Sequence, residues 1–162
     1  RGYGNGLMLP AGPLREAPRA TDFRVVNVGE TSGAILREDD VPMRLRLSEA
    51  VSLSDDATRR PLAAFASAPV HAVAGIGNPE RFFVALRGAG LQLHEHAFAD
   101  HHDFERADFR GMQGTVLMTE KDAVKCRGLG LSDAWSVPAE AELPAAFFDA
   151  LVARLEQQHA RA

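Results

Sequence analysis

The chain has 162 residues, 46% of them hydrophobic and 25% charged, a globular balance that excludes a disordered or collagen-like chain. The 22 acids against 18 bases give a net charge of −4, so the chain lacks the positive field of a general nucleic-acid binder. One cysteine excludes a disulfide framework and a Cys-rich zinc site and fits a reducing compartment, and no apolar run approaches the roughly 18 residues that a membrane span needs.

Residues 1–18 carry Gly2, Gly4, Gly6, Gly12, Pro10, Pro13 and Pro18, a density at which no helix survives, so a loop is predicted. Residues 23–28 and 43–47 alternate polar and apolar side chains and read as strands with one wet face. Gly29, Gly33 and the Glu38-Asp39-Asp40 run supply turns between them, and 23–53 is expected to form a small antiparallel ribbon. At Pro61 the pattern changes. Residues 70–74 (V-H-A-V-A) form a short apolar strand ending in Gly75-Ile76-Gly77-Asn78-Pro79. Asn78 suits a helix N-cap and Pro79 the first helical position; Phe82, Phe83 and Leu86 share a face, and Gly90 can close the helix.

A second strand is predicted at 91–97, a short helix or turn at 104–110, and further strands at 115–118 and 134–137. Pro144 opens a last helix whose stripe of Leu143, Phe147, Phe148, Leu151, Val152 and Leu155 is expected to dock against the sheet. Strands alternating with helices predict an α/β fold: a small, mostly parallel sheet with flanking helices, preceded by a loop and a short β ribbon. The expected boundaries are a loop segment at 1–22, a linking ribbon at 23–60 and an α/β domain at 61–162.

Four stretches carry chemistry-bearing residues. The strand–Gly75-x-Gly77–helix turn is either a nucleotide fingerprint or a tight turn that needs glycine; Glu80 stands where the third glycine of the fingerprint belongs and would repel a pyrophosphate. His94, His96, His101 and His102 lie within nine residues, and His94 and His96 share a strand face, as two metal ligands must. No second cluster of ligands accompanies them, so no metal site is assigned. Asp100-His101 follows a strand's C-terminal end, where α/β proteins place their chemistry, and a histidine beside a carboxylate suits proton transfer near neutral pH. The alternative is a solvated loop histidine.

Thr119-Glu120-Lys121-Asp122 follows the next strand; it can touch phosphate or sugar oxygens, or cap a helix through the spacing of Thr119 and Asp122. In the opening, Gly4-Asn5-Gly6 amides can form an anion-binding nest, Arg15 offers a planar fork for phosphate, and Glu16 can orient that fork or accept from a sugar hydroxyl. The alternative is a strained linker with a surface Arg-Glu pair.

Taken together, R-G-Y-G-N-G-L-M-L-P-A-G-P-L-R-E at 1–16, V-H-A-V-A-G-I-G-N-P-E-R-F-F at 70–83, H-A-F-A-D-H-H-D-F at 96–104 and V-L-M-T-E-K-D-A-V-K-C at 116–126 resemble the tetraacyldisaccharide 4'-kinase family of Gram-negative bacteria. The resemblance implies a P-loop kinase of lipid A biosynthesis, peripheral on the cytoplasmic face of the inner membrane. It moves the γ-phosphate of ATP to the 4'-hydroxyl of an acylated glucosamine disaccharide 1-phosphate, and nucleic acid plays no part. It implies Arg15 and Glu16 as part of the active-site wall, with Arg15 near transferring or substrate phosphate, and Gly4, Asn5 and Gly6 as shaping the acceptor or phosphate pocket.

His101 resembles the histidine that pairs with a catalytic aspartate; His96 and His102 match less securely, and Asp100, Lys121 and Asp122 lie inside the motifs without an assigned contact. The family's G-x-x-x-x-G-K-[ST] loop and magnesium-binding acids do not occur in this sequence, so ATP and Mg²⁺ are expected to be held mainly by a nucleotide-binding part N-terminal to Arg1, and this chain is expected to be inactive by itself. A metal-dependent phosphoesterase, echoed by Asp100-His101-His102, and a non-catalytic interaction domain are the alternatives.

Overall fold

The structure, a computed structural model, describes residues 5–17, 21–29 and 36–160. Its elements in chain order are β1 (Arg24–Asn27), β2 (Asp40–Leu47), β3 (Ala50–Ser52), β4 (Arg59–Arg60), β5 (Val70–Ala74), α1 (Pro79–Gly88), β6 (Leu93–Ala97), β7 (Val116–Thr119), α2 (Glu120–Cys126), β8 (Ala134–Val137), β9 (Ala139–Glu142) and α3 (Ala145–His159). Short 3₁₀ turns stand at Leu62–Phe65, Arg106–Phe109 and Arg127–Leu129. The chain divides into two compact units, Arg1–Leu45 with Ala141–Ala162, and Arg46–Glu140. Among the described residues no helix is long and apolar enough to cross a membrane.

The Arg46–Glu140 unit is built on a six-stranded sheet in the order β4-β3-β8-β7-β5-β6. The run β8-β7-β5-β6 is parallel, whereas β3 pairs antiparallel with β8 and with β4. Strands β5, β7 and β8 are short, nearly continuous apolar runs because both their faces are covered. Val70, Ala72, Ala74, Leu117, Trp135 and Val137 meet Phe82, Phe83 and Leu86 of α1 on one face. Val73, Val116, Met118 and Ala134 meet Ala123 and Cys126 of α2, with Phe104 and Phe109, on the other. The period-2 alternation of side chains in a strand produces this division. The parallel pairing brings the C-terminal ends of β6, β5 and β7 to one edge of the sheet, which is where the chemistry-bearing loops emerge.

Residues 50–60, expected in the linking ribbon, instead form β3 and β4 and extend this sheet. Ala50 is fully buried in the α1-side core. A free two-stranded ribbon is marginal in water and would have left it wet.

The other unit holds a three-stranded sheet in the order β1-β2-β9. Here the expected antiparallel ribbon is corrected: β1 and β2 run parallel, from Arg24 opposite Asp40 to Asn27 opposite Met43. Polar–apolar alternation announces a strand but not its direction. The connection from 28 to 39 is about a dozen residues long, enough for a parallel crossover and far beyond a hairpin turn. Arg24 fixes the register by donating Nε and Nη2 to the two carboxylate oxygens of Asp40.

Helix α3 belongs to this unit. Phe147 meets Phe23 edge to face with ring centroids 5.4 Å apart, and Arg154 Nη2 pairs with Asp22 at 2.6 Å. The expected burial of its apolar stripe against a sheet does not occur: no α3 residue is buried, and Phe148, Val152 and Leu155 are about half exposed. An amphipathic stripe specifies an apolar face, not the surface that covers it.

Candidate functional site

The opening loop is organised by Asn5. Its Oδ1 accepts from the Leu7 N–H at 3.1 Å, and its Nδ2 donates to the Ala11 carbonyl at 3.0 Å. Backbone bonds close the turn: Leu9 N–H to Leu14 O at 2.8 Å, Gly12 N–H to Met8 O at 3.0 Å and Leu14 N–H to Leu7 O at 3.2 Å. Gly12 is obligatory here, since a Cβ would lie 2.2 Å from Asn5 Oδ1 and 2.3 Å from the Leu7 carbonyl oxygen. Gly6 adopts φ +74°, a conformation that glycine takes without cost. Both ends of the Asn5 amide are thus engaged by the loop itself, and Arg15 and Glu16 follow it, exposed. Gly4 lies outside the described residues.

In the Arg46–Glu140 unit the structure brings together three stretches that are separate in sequence. The Gly75 turn leaves β5, Asp100-His101 leaves β6, and Thr119–Asp122 leaves β7 into α2. The His101 N–H donates to the Gly75 carbonyl at 3.3 Å. Lys121 Nζ donates to Asp100 Oδ1 at 3.1 Å, and His101 Nε2 stands 3.7 Å from Asp100 Oδ2. The hydrogen bond from Lys121, then the nearby His101, holds the Asp100 carboxyl below its ordinary range. His101 is backed by this chain but open to solvent: its side chain is 75% exposed. It takes φ +64°, the left-handed region in which histidine is among the few tolerated residues.

Asp122 plays a different part from its neighbour Lys121. It is fully buried, and its Oδ2 accepts from the Gly75 N–H at 2.9 Å and from the Thr119 hydroxyl at 2.6 Å. Thr119 Oγ1 in turn accepts from the Asp122 N–H at 3.2 Å, capping α2. The helix-cap reading of Thr119-Asp122 is therefore the one observed, and Asp122 also ties the β5 turn to the β7 turn. Gly75 is crowded as a result: a Cβ there would stand 3.1 Å from Phe104 Cζ and 3.2 Å from Asp122 Oδ1.

The same contact decides the Gly75-x-Gly77 turn. A carboxylate already occupies the Gly75 amide, where a phosphate would have to bind, and Glu80 adds a second negative charge in the first turn of α1. The turn does not fit a nucleotide phosphate. No group of three or more His, Cys, Asp or Glu side chains converges to hold a metal ion among the described residues.

His102 points away from the Asp100 pair. Its Nε2 lies 2.9 Å from Asp108 Oδ2, Phe98 stacks on its ring at 4.8 Å, and its carbonyl accepts from Lys125 Nζ at 2.7 Å. The Glu105 N–H, then His102, holds the Asp108 carboxyl low. These partners brace the loop that carries His101. Asp108 was not singled out from sequence; the capping box of Glu105 with Asp108 was the available signal.

Cys126 completes the α2 face. Burial pushes its thiol up to about 12, and the charges of Asp122 and Asp108 push the same way. The native protein is expected to release no thiol to Ellman's reagent at pH 8 and one equivalent in guanidinium. Rapid labelling of the native chain would contradict the burial of α2.

Comparison with known proteins gives a consistent result. The family model of Tetraacyldisaccharide-1-P 4'-kinase matches residues 1–156. Curated proteins named tetraacyldisaccharide 4'-kinase are similar to this chain: one from Xanthomonas campestris pv. campestris is 48% identical over 99% of this chain and 50% of its own length. One from Stenotrophomonas maltophilia is 50% identical over 97% of this chain and 48% of its own length. The chain thus spans about half the length of the curated relatives it matches. A crystal structure of the LpxK of Aquifex aeolicus in complex with ATP shares the fold at a TM-score of 0.64, with 24% identity over 93% of this chain and 48% of that one. These matches favour the kinase over the phosphoesterase alternative. With three of its four family motifs converging at one edge of the mostly parallel sheet of the Arg46–Glu140 unit, the chain belongs to the Tetraacyldisaccharide-1-P 4'-kinase family.

Proposed function

We propose that this chain supplies the acceptor-side half of a kinase that phosphorylates the 4'-hydroxyl of an acylated glucosamine disaccharide 1-phosphate. The carrying observation is the convergence of Gly75, Asp100-His101 and Lys121 at the C-terminal ends of three parallel strands, in a chain of this family. That edge is where open α/β sheets do their chemistry. His101 is exposed, held by its backbone and set beside a carboxylate that keeps its charge. It assists an aspartate base from outside this chain as the sugar hydroxyl loses its proton to that base. Lys121 holds Asp100 in place beside it.

Arg15 takes a phosphate of the substrate through its planar fork, and Glu16 accepts from a sugar hydroxyl. Asn5, with Gly6, shapes the loop that presents them. ATP and Mg²⁺ are held by residues outside this chain. The parent enzyme works at the cytoplasmic face of the inner membrane as a peripheral protein.

The test is a fusion of this chain to the half of the Xanthomonas campestris relative that it does not match. The fusion is expected to move label from γ-labelled ATP to tetraacyldisaccharide 1-phosphate, and the chain alone to move none. An inert but folded fusion beside an active intact relative would sink the proposal, as would turnover by the chain alone.

A further inference from the structure

His101 and His102 are neighbours in sequence with opposite surroundings. The His101 side chain is 75% exposed, whereas that of His102 is 30% exposed and engaged by several groups. The Asp108 carboxyl is held low and keeps its charge, so it can only accept, and His102 donates its Nε2–H to Asp108 Oδ2 at 2.9 Å. The same oxygen accepts from the Glu105 N–H at 2.9 Å. The His102 ring stacks on Phe98 and meets Phe104 edge to face, at centroid distances of 4.8 and 4.9 Å. Phe104 is buried in the α2-side core, against which Phe98 packs. Lys121 and Lys125, the only two lysines of the chain, stand one turn apart on one face of α2. They hold the two flanks of His101: Lys121 the Asp100 side chain at 3.1 Å, Lys125 the His102 carbonyl at 2.7 Å.

We propose that His102 and Asp108 are positioning residues for the phosphoryl transfer: they act through His101, holding its left-handed backbone and so the direction of its imidazole. The inference rests on the role given to His101 above.

A histidine at φ +64° sits in a sparsely populated region, and such a conformation persists only where its surroundings over-determine it. On the N-terminal side the constraint is the bond from the His101 N–H to the Gly75 carbonyl, with the Lys121–Asp100 pair. On the C-terminal side it is His102, whose own N–H closes a turn onto the Ala99 carbonyl at 3.0 Å. With His102 fixed inward among Phe98, Phe104 and Asp108, the chain turns the His101 side chain out to solvent. Once His102 is released from Asp108, His101 is free to relax to a negative φ, which swings its imidazole away from Asp100. A phenylalanine ring would fill the same aromatic setting, so the N–H to Asp108 is what histidine adds. Misplacing a reacting group by about 1 Å costs up to about 10²-fold in rate, so a backbone change of this kind is large on the scale of catalysis.

The experiment is a double-mutant cycle in the fused kinase, read as kcat and KM for tetraacyldisaccharide 1-phosphate. His102→Phe keeps the ring contacts and removes the donor; it is expected to lower kcat by about 10–10²-fold with KM little changed. His102→Gln keeps an N–H for Asp108 and is expected to recover most of that loss. In a His101→Ala background, His102→Phe is expected to change kcat by less than about twofold, because a residue that acts through another has nothing left to act on. Asp108→Asn removes the charge that fixes the imidazole and keeps an oxygen for the Glu105 N–H. It is expected to show a loss with the same cancellation, and it decides if His102→Phe does not fold. A full rate in His102→Phe, or the same fold-loss in both backgrounds, would overturn the proposal and leave the role of His101 standing. A full rate in His101→Ala overturns that role, and this proposal with it.

Discussion

In the fused kinase, His101→Ala is expected to lower kcat by about 10²–10⁴-fold, the loss typical of a missing acid–base group, with little change in melting temperature. The two halves of that expectation have separate grounds. The side chain is mostly solvent-exposed, and the nearest carboxylate oxygen, on Asp100, is 3.7 Å away, so removing the ring exposes no core. The bond that holds the residue, from its N–H to the Gly75 carbonyl, belongs to the backbone and survives the change. The φ of +64° costs an alanine about 1–2 kcal/mol relative to an unstrained site, and histidine bears much of that cost already. His101→Gly removes the backbone strain altogether, and should lose the same activity while gaining stability. Equal activity losses in two variants of different stability assign the effect to the imidazole. A full rate in His101→Ala would end its role beside the base and leave an ordered but idle loop.

The parts of this arrangement legible in sequence are those with a short-range signature. V-H-A-V-A-G-I-G-N-P announces strand, turn and helix start within ten residues, and β5 and α1 stand there. Asn78 occupies the N-cap position as expected, yet its side chain caps nothing; Pro79 at the first helical position needs no donor partner. Thr119 and Asp122 are three residues apart, and their cap was readable for that reason. The contact from Asp122 to Gly75 spans 47 residues and was not, because no local pattern encodes it.

The same limit hid the direction of β1 against β2, the membership of β3 and β4 in the large sheet, and the exposure of the α3 stripe. His71 was invisible as the hydrogen-bonding partner of His96 because one histidine in an apolar strand has no period; only the register of β5 against β6 makes it a neighbour. His101 and Arg15 stood out from the residues only beside an equally open reading as ordinary surface residues, and the resemblance to a kinase family gave them roles.

The largest loss of stability from a single change near this site is expected at Asp122. Its carboxylate is fully buried, and its Oδ2 is the acceptor for both a buried backbone N–H and a buried hydroxyl. Asp122→Ala leaves the buried Gly75 N–H and the Thr119 hydroxyl without their partner. Each abandoned buried group costs about 1–3 kcal/mol, and bonds to a charged acceptor lie at the upper end, so the variant is expected to lose about 3–5 kcal/mol. In a domain of this size that lowers Tm by roughly 6–20 °C.

Asp122→Asn separates charge from geometry. It keeps one oxygen for the two donors, but puts an amide N–H₂ where Oδ1 now has no partner. It should lose less, about 1–3 kcal/mol. The effect is expected to reach His101, because Gly75 receives the Asp122 carboxylate on its N–H and the His101 N–H on its carbonyl. A folded Asp122→Asn fusion should therefore lose kcat with KM little changed, a result that mere loss of stability would not produce. Should Asp122→Ala unfold at the temperature of the parent chain, Asp122 neither ties the turns together nor positions His101.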